Sequence, residues 1–283
     1  MLLSIILLLF IAYFGLGITL YFMQPALTFS PTREVPYTPG DIGLDYEKVQ
    51  FKTADNLTLS GWYIPAKNAH FTLLLCHGNG GNIAYALDSI YIFYELGFNC
   101  LIFDYRGYGH SQGEPTEEGT YLDAQGAYDW LIKVKKLKPD NIILCGKSLG
   151  ASIAAHLAAN VSIKGLIIES GFTSYADIGQ KFYPYMMVRP FARYNFNTSD
   201  YLKQADCPVL IIHSRNDEIV PFEFGLRLYE EAAKEPKEFI EIFGNHNDGF
   251  LYSGQIYREG LTNWAKFLKN YQKQSGAKIK LIS

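Results

Sequence analysis

The ten residues Asn141-Ile-Ile-Leu-Cys-Gly-Lys-Ser-Leu-Gly150 constrain this chain more than any other stretch. The apolar run 141–145 reads as a buried strand, and 151–159 (Ala-Ser-Ile-Ala-Ala-His-Leu-Ala-Ala) is a good helix former. Only a sharp turn fits between them, with Ser148 at its tip. A residue held there carries backbone strain, and the glycines two positions away on either side remove Cβ atoms for which a tightly apposed strand and helix leave no room. The same turn puts Ser148 at a helix N-terminus, where free N–H groups and the helix dipole favour negative charge.

Around this turn the apolar pattern alternates between strand and helix lengths. The spacing predicts strands at 71–76, 98–103, 141–145, 163–168, 209–213 and 238–242. It predicts helices at 83–96, 116–136, 149–159, 222–233 and 253–270. Such alternation makes a mostly parallel central sheet with helices on both faces, an α/β fold. Ahead of it, 46–51 and 57–64 alternate around Ala54-Asp55-Asn56 and read as a hairpin. The interval 171–206 breaks the rhythm: it is long for a connection and rich in aromatic residues, so it is expected to form a small cap over the strand ends. Phe172, Tyr175 and Met186 are its candidate substrate-binding residues.

The first residues set a second constraint. Positions 2–23 contain no charge, and about 20 apolar residues suffice to cross a bilayer core. No basic start precedes the run and no Ala-x-Ala site follows it, so a retained N-terminal transmembrane anchor over 1–23 is expected rather than a cleaved signal. Only Arg33 follows closely, which leaves the side of the membrane open. Pro25, Pro31, Pro36 and Pro39 mark 24–45 as an extended linker to a single domain over 46–283. A net charge of −3 gives no footprint for nucleic acid. The four cysteines, Cys76, Cys100, Cys145 and Cys207, sit in or beside apolar runs and read as buried thiols, although Cys100 and Cys145 would be bridgeable on adjacent strands. No spacing of His, Cys, Asp or Glu suggests a metal, and no glycine pattern suggests a nucleotide, so no cofactor is expected.

A serine hydroxyl becomes a useful nucleophile only when a base takes its proton and a carboxylate orients that base. When the serine sits on such a turn, the partners follow it as acid and then histidine. Three histidines follow Ser148: His156 lies inside the next helix and His213 ends a strand, whereas His246 occupies the loop Phe243-Gly-Asn-His-Asn-Asp-Gly249. His246 is the expected base. Asp217, after the 209–213 strand, is the expected acid, with Glu169 its rival, Glu218 turned away and Asp248 too close to the histidine. Developing negative charge needs two backbone donors, expected from Leu149 and from Asn79, with Gly80 second, in the Gly-rich run His77-Gly-Asn-Gly-Gly-Asn82. Asp104 and Arg106, in Asp104-Tyr-Arg-Gly-Tyr-Gly109, read as braces for their loop.

These runs, together with Asp217-Glu-Ile-Val-Pro221 and Gly244-Asn-His-Asn-Asp248, resemble the alpha/beta-hydrolase superfamily over roughly residues 45–270. More narrowly the chain is similar to a single-span, membrane-anchored branch that includes protein depalmitoylases, and to the serine aminopeptidase-like profile. The resemblance implies the alpha/beta-hydrolase fold and a Ser148-Asp217-His246 triad. The cysteine-rich N-terminus of the animal depalmitoylases is absent, so that substrate does not carry over. The expectation is a membrane-anchored serine hydrolase acting on an ester or thioester of a small-molecule or lipid acyl substrate. Its alternatives are an aminopeptidase-like enzyme, with Glu169 or Asp177 holding an ammonium group, and a catalytically idle scaffold. Oligomeric state and acyl-chain length are not readable.

Overall fold

A computed structural model of the chain describes residues 1–233 and 235–271. In chain order the strands are β1 (Ser30–Pro31), β2 (Glu47–Lys52), β3 (Thr58–Ile64), β4 (Thr72–Cys76), β5 (Gly80–Gly81), β6 (Asn99–Phe103), β7 (Ile142–Lys147), β8 (Gly165–Glu169), β9 (Val209–Ser214) and β10 (Lys237–Ile242). The helices are α1 (Leu2–Thr28), α2 (Leu87–Glu95), α3 (Glu117–Lys133), α4 (Leu149–Asn160) and α5 (Tyr175–Phe182). There follow α6 (Val188–Phe191), α7 (Thr198–Gln204), α8 (Phe222–Glu231), α9 (Gly249–Tyr252) and α10 (Gly254–Asn270).

Eight strands form one sheet in the order β10-β9-β8-β7-β4-β6-β3-β2. The run from β10 to β6 is parallel; β3 joins β6 antiparallel and makes the expected hairpin with β2. The central strands are buried on both faces, which is why they read as continuous apolar runs. Alternate residues still divide between two cores. Leu74, Leu144, Leu166 and Ile211 pack with α3, α4 and α8, whereas Leu73, Ile143, Ile167 and Ile212 pack with α2 and α10. The order β7-β4-β6 places β4 between Cys100 and Cys145; all four cysteines are free and buried.

Two expected boundaries move. Residues 24–45 are not a free linker. α1 continues through Pro25 to Thr28, β1 pairs with β5, and a 3₁₀ turn at Pro39–Ile42 leads to the buried Leu44. Proline removes one helix hydrogen bond, but Gln24 and Thr28 on either side of it bond to the cap and hold the last turn in place. The expected cap over 171–206 also loses its last part: the Leu202 side chain of α7 is fully buried in the body's core.

Candidate active site

The site lies at the C-terminal ends of the parallel strands, where open α/β sheets usually bind ligands. Ser148 follows β7 with φ 54° and ψ −118°, left-handed backbone that costs a non-glycine residue about 1–3 kcal/mol. The surroundings enforce it. Ser148 N–H donates to the Glu169 carbonyl at 2.9 Å, extending the β7–β8 ladder to the turn. A Cβ on Gly146 would overlap the Gly150 carbonyl, and one on Gly150 would overlap the Cys76 carbonyl and lie 2.5 Å from that of His77. Leu149 opens α4, so its N–H has no partner within the helix.

The β4 loop passes alongside. A Cβ on Gly78 would stand 3.7 Å from that of Ser148. His77 is buried, and its Nδ1–H donates to the Gly78 carbonyl at 2.7 Å, which fixes its tautomer. Burial pulls this histidine down to about 4 despite the opposing pull of the Gly78 hydrogen bond. The peptide that carries the Gly78 carbonyl also carries the Asn79 N–H, pointing the opposite way. The Asn79 carbonyl in turn accepts from Ser30 N–H (3.1 Å) and the Tyr108 hydroxyl (2.7 Å).

On the other side, His246 Nδ1–H donates to Asp217 Oδ2 at 2.8 Å, and both side chains are buried. The other carboxylate oxygen accepts from Ile219 N–H (3.0 Å) and Val220 N–H (2.7 Å). Burial works to raise the Asp217 carboxyl, but the His246 hydrogen bond and charge, the Val220 N–H and His213 together hold it below its ordinary value. Ser148 and His246 line one cavity; among the described residues their side chains make no direct hydrogen bond, a contact that commonly tightens only when substrate is bound.

The other candidates have contacts of their own. The His156 ring stacks on Tyr121 at 3.8 Å, and His213 donates to the Val220 carbonyl. Asp248 accepts from Asn245 N–H. Glu169 lines the cavity but is engaged by the Tyr257 hydroxyl (2.7 Å) and Lys147 Nζ (3.3 Å). Asp177 faces a separate polar cavity and pairs with Arg189 at 3.1 Å. Arg106 does brace its loop, through Asp123 and Asp55, while Asp104 accepts from Ile83 N–H.

Three contributors were not legible. Glu218, expected to turn away, accepts the His246 backbone N–H at 2.9 Å and pins the loop that carries the ring. Lys147 ties the serine turn to that loop, reaching Glu169, the Asn247 carbonyl and the face of Phe250. The third is α1: Leu20, Gln24, Leu27 and Thr28 line the cavity with the expected Phe172, Tyr175 and Met186. The cavity holds about 1100 Å³, above the roughly 300–1,000 Å³ of a small-molecule site. Among the described residues no group of acidic, His or Cys side chains is arranged to hold a metal ion.

A mostly parallel eight-stranded sheet, with a strained serine where its central strand turns into a helix, is the layout of an α/β hydrolase. The chain belongs to that family: residues 72–200 match the alpha/beta hydrolase fold. It is 34% identical over 216 residues to Rv2307c of Mycobacterium tuberculosis, covering 75% of this chain and 76% of that protein. It is 31% identical over 247 residues to YNL320W, a membrane protein of Saccharomyces cerevisiae, covering 83% and 87%. Among solved structures it is similar to the Pyrococcus furiosus esterase Pf2001, with a TM-score of 0.70 and 25% identity over 84% of this chain and 98% of that one.

Proposed function

We propose that the chain is a membrane-anchored serine hydrolase that cleaves an ester or thioester of a lipophilic acyl chain. Ser148 Oγ attacks the acyl carbonyl as His246 Nε2 takes its proton. Asp217 holds the ring in the Nδ1–H tautomer and stabilises the imidazolium. The oxyanion is held by the N–H groups of Leu149 and Asn79. His246 then protonates the leaving oxygen or sulfur, and water, deprotonated by the same ring, releases the acid and restores Ser148.

The observation that carries this reading is the oriented His246–Asp217 pair facing the same cavity as a serine held in strained backbone. The apolar, aromatic lining of that cavity favours a lipophilic acyl group, and the esterase among the structural neighbours favours ester chemistry. α1 is the one described helix long and apolar enough to cross a membrane, and its outward faces expose residues such as Leu3, Leu8 and Phe22.

The test uses membranes containing the full-length chain, a fluorophosphonate probe and acyl esters of graded length. Labelling and hydrolysis are expected in the natural chain and lost in Ser148→Ala, with kcat/KM down by about 10³-fold or more. Labelling that survives Ser148→Ala overturns the reading.

A further inference from the structure

The cavity next to Ser148 is closed on one side by the helix that is apolar enough to enter the bilayer. Tyr13, Gly17, Leu20, Gln24 and Thr28 follow one another at intervals of three or four residues, a single stripe along α1. This stripe is the face turned to the cap. Met187 N–H donates to the Tyr13 hydroxyl at 2.7 Å, and a Cβ on Gly17 would press on the Phe191 ring at 2.6 Å. Gln24 Nε2 donates to the Phe191 carbonyl (2.6 Å), while its Oε1 accepts from Arg193 N–H (2.7 Å). Thr28 and Tyr175 share a hydrogen bond of 2.6 Å. Four hydrogen bonds thus join the helix to the cap.

The axial rise then sets the depth of the cap. From Thr28 back to Tyr13 the helix advances about 22 Å at 1.5 Å per residue. A bilayer core is about 30 Å thick. If α1 crosses it, the segment of the cap beside Tyr13 and Gly17 lies below the headgroups of the adjoining leaflet. The surface of that segment suits such a place: Phe182, Tyr183, Tyr185 and Met187 are exposed, with Tyr185 95% exposed. Two exposed charges border it and are anchored at their tips: Arg189, with its side chain 79% exposed, pairs with Asp177, and Lys181 donates to the carbonyls of Glu218 and Ile219, so both are long enough to snorkel toward the headgroups. Leu27 lines the cavity yet is 46% exposed, so the cavity reaches the surface beside α1.

We infer that the cavity opens sideways into the bilayer beside Leu27 of α1, and that its occupant is an acyl chain of a bilayer lipid, which reaches Ser148 without leaving the leaflet. This rests on the proposed roles of Ser148 as nucleophile and α1 as a span.

Two measurements on the full-length chain in phosphatidylcholine vesicles test it. Because the four natural cysteines are buried, Tyr185→Cys, Met187→Cys and, as a control on the exposed Lys138, Lys138→Cys can each be labelled with an environment-sensitive fluorophore. Lipids carrying a nitroxide on the acyl chain are expected to quench labels at 185 and 187 at least threefold more than at 138. Separately, Leu20→Trp and Leu27→Trp, which fill the α1 side of the cavity, are expected to lower the ratio of hexadecanoyl to butanoyl ester hydrolysis by tenfold or more. Quenching equal to the control, or an unchanged ratio in variants that still label with fluorophosphonate, overturns the lateral route. If the natural chain fails to label, the hydrolase reading fails instead, and the quenching result still stands or falls on its own. The quenching arm uses exposed positions and does not depend on the cavity variants folding.

Discussion

The two walls of the cavity are built on different principles. The sheet-rim wall, carrying His77, Ser148, Asp217 and His246, is held by backbone. Its turns are pinned by ladder hydrogen bonds, by carbonyls packed where a Cβ would stand, and by carboxylates saturated with N–H donors. The facing wall, made by α1 and the cap, is held mainly by side chains: rings against a glycine, a glutamine spanning two backbone groups, a hydroxyl pair. Chemistry needs atoms placed within a few tenths of an ångström, and backbone supplies that. On the proposed function, accommodating an acyl chain needs apolar volume, and side chains that can shift supply that at less cost in strain.

The sharpest way to break this contrast is to add one methyl group to each wall. Gly150→Ala forces a Cβ into the Cys76 and His77 carbonyls, backbone atoms that cannot retreat without disrupting β4. It is expected to destabilise the fold by at least about 3 kcal/mol and to remove fluorophosphonate labelling. Gly17→Ala presses on the Phe191 ring, the far end of a side chain that can turn aside. The expected cost is about 1 kcal/mol or less, with labelling retained. Thermal unfolding of both variants in the same detergent measures the difference; comparable losses would show that both walls are equally rigid.

Acidification should separate the walls in the same sense, because the rim has a buried imidazole and the α1 stripe has no acid–base group near neutrality. His77 is held down to about 4 by burial, against 6.5 when unfolded. Between those values the unfolded chain binds a proton that the folded chain refuses, so stability is intact above pH 6.5 and falls as pH drops toward 4. In His77→Asn the amide can still donate to the Gly78 carbonyl but does not titrate. Relative to this variant, the natural chain is expected to lose about 2 kcal/mol of unfolding free energy between pH 7 and 5. Asp104, pushed up to about 7 by burial, titrates with the opposite sign, but it is common to both chains and cancels in the difference. A pH-independent gap would place the proton uptake elsewhere.

The same division explains what could be read from the sequence. The serine turn was legible because its glycines are steric requirements at fixed spacing, and the sheet because doubly buried strands must be continuously apolar. His246 and Asp217 follow as candidates from chain order once the turn is recognised, and the fold brings them within hydrogen-bond distance of each other. Glu218 was not, because it differs from Asp217 by one position and only the loop's path decides which carboxylate faces the ring and which faces the backbone. The α1 stripe was invisible for another reason. A helix apolar on every side gives no pattern to say which face meets protein, and Gln24 beside Pro25 looked like the start of a linker. The register is set by contacts with residues more than 140 positions away.

Glu218 offers the finest test of how far backbone control extends. Its Oε2 accepts the His246 N–H, so it acts on the position of the loop rather than on the ring's proton. Glu218→Ala leaves the Asp217–His246 hydrogen bond in place but frees the backbone beneath it. Since 1.4 kcal/mol is a factor of ten, loss of one charge-assisted hydrogen bond is expected to lower kcat about tenfold, with KM changed less than twofold. Glu218→Gln keeps an oxygen that can accept the N–H and is expected to recover most of that loss. If Gln fails where Glu works, the carboxylate's charge near His246 matters, and the pH–rate profile should then shift between the two variants. If neither substitution moves kcat, the His246 loop is held well enough by Ser214, Gly244 and the Asn245–Asp248 hydrogen bond, and backbone control at this rim has redundancy.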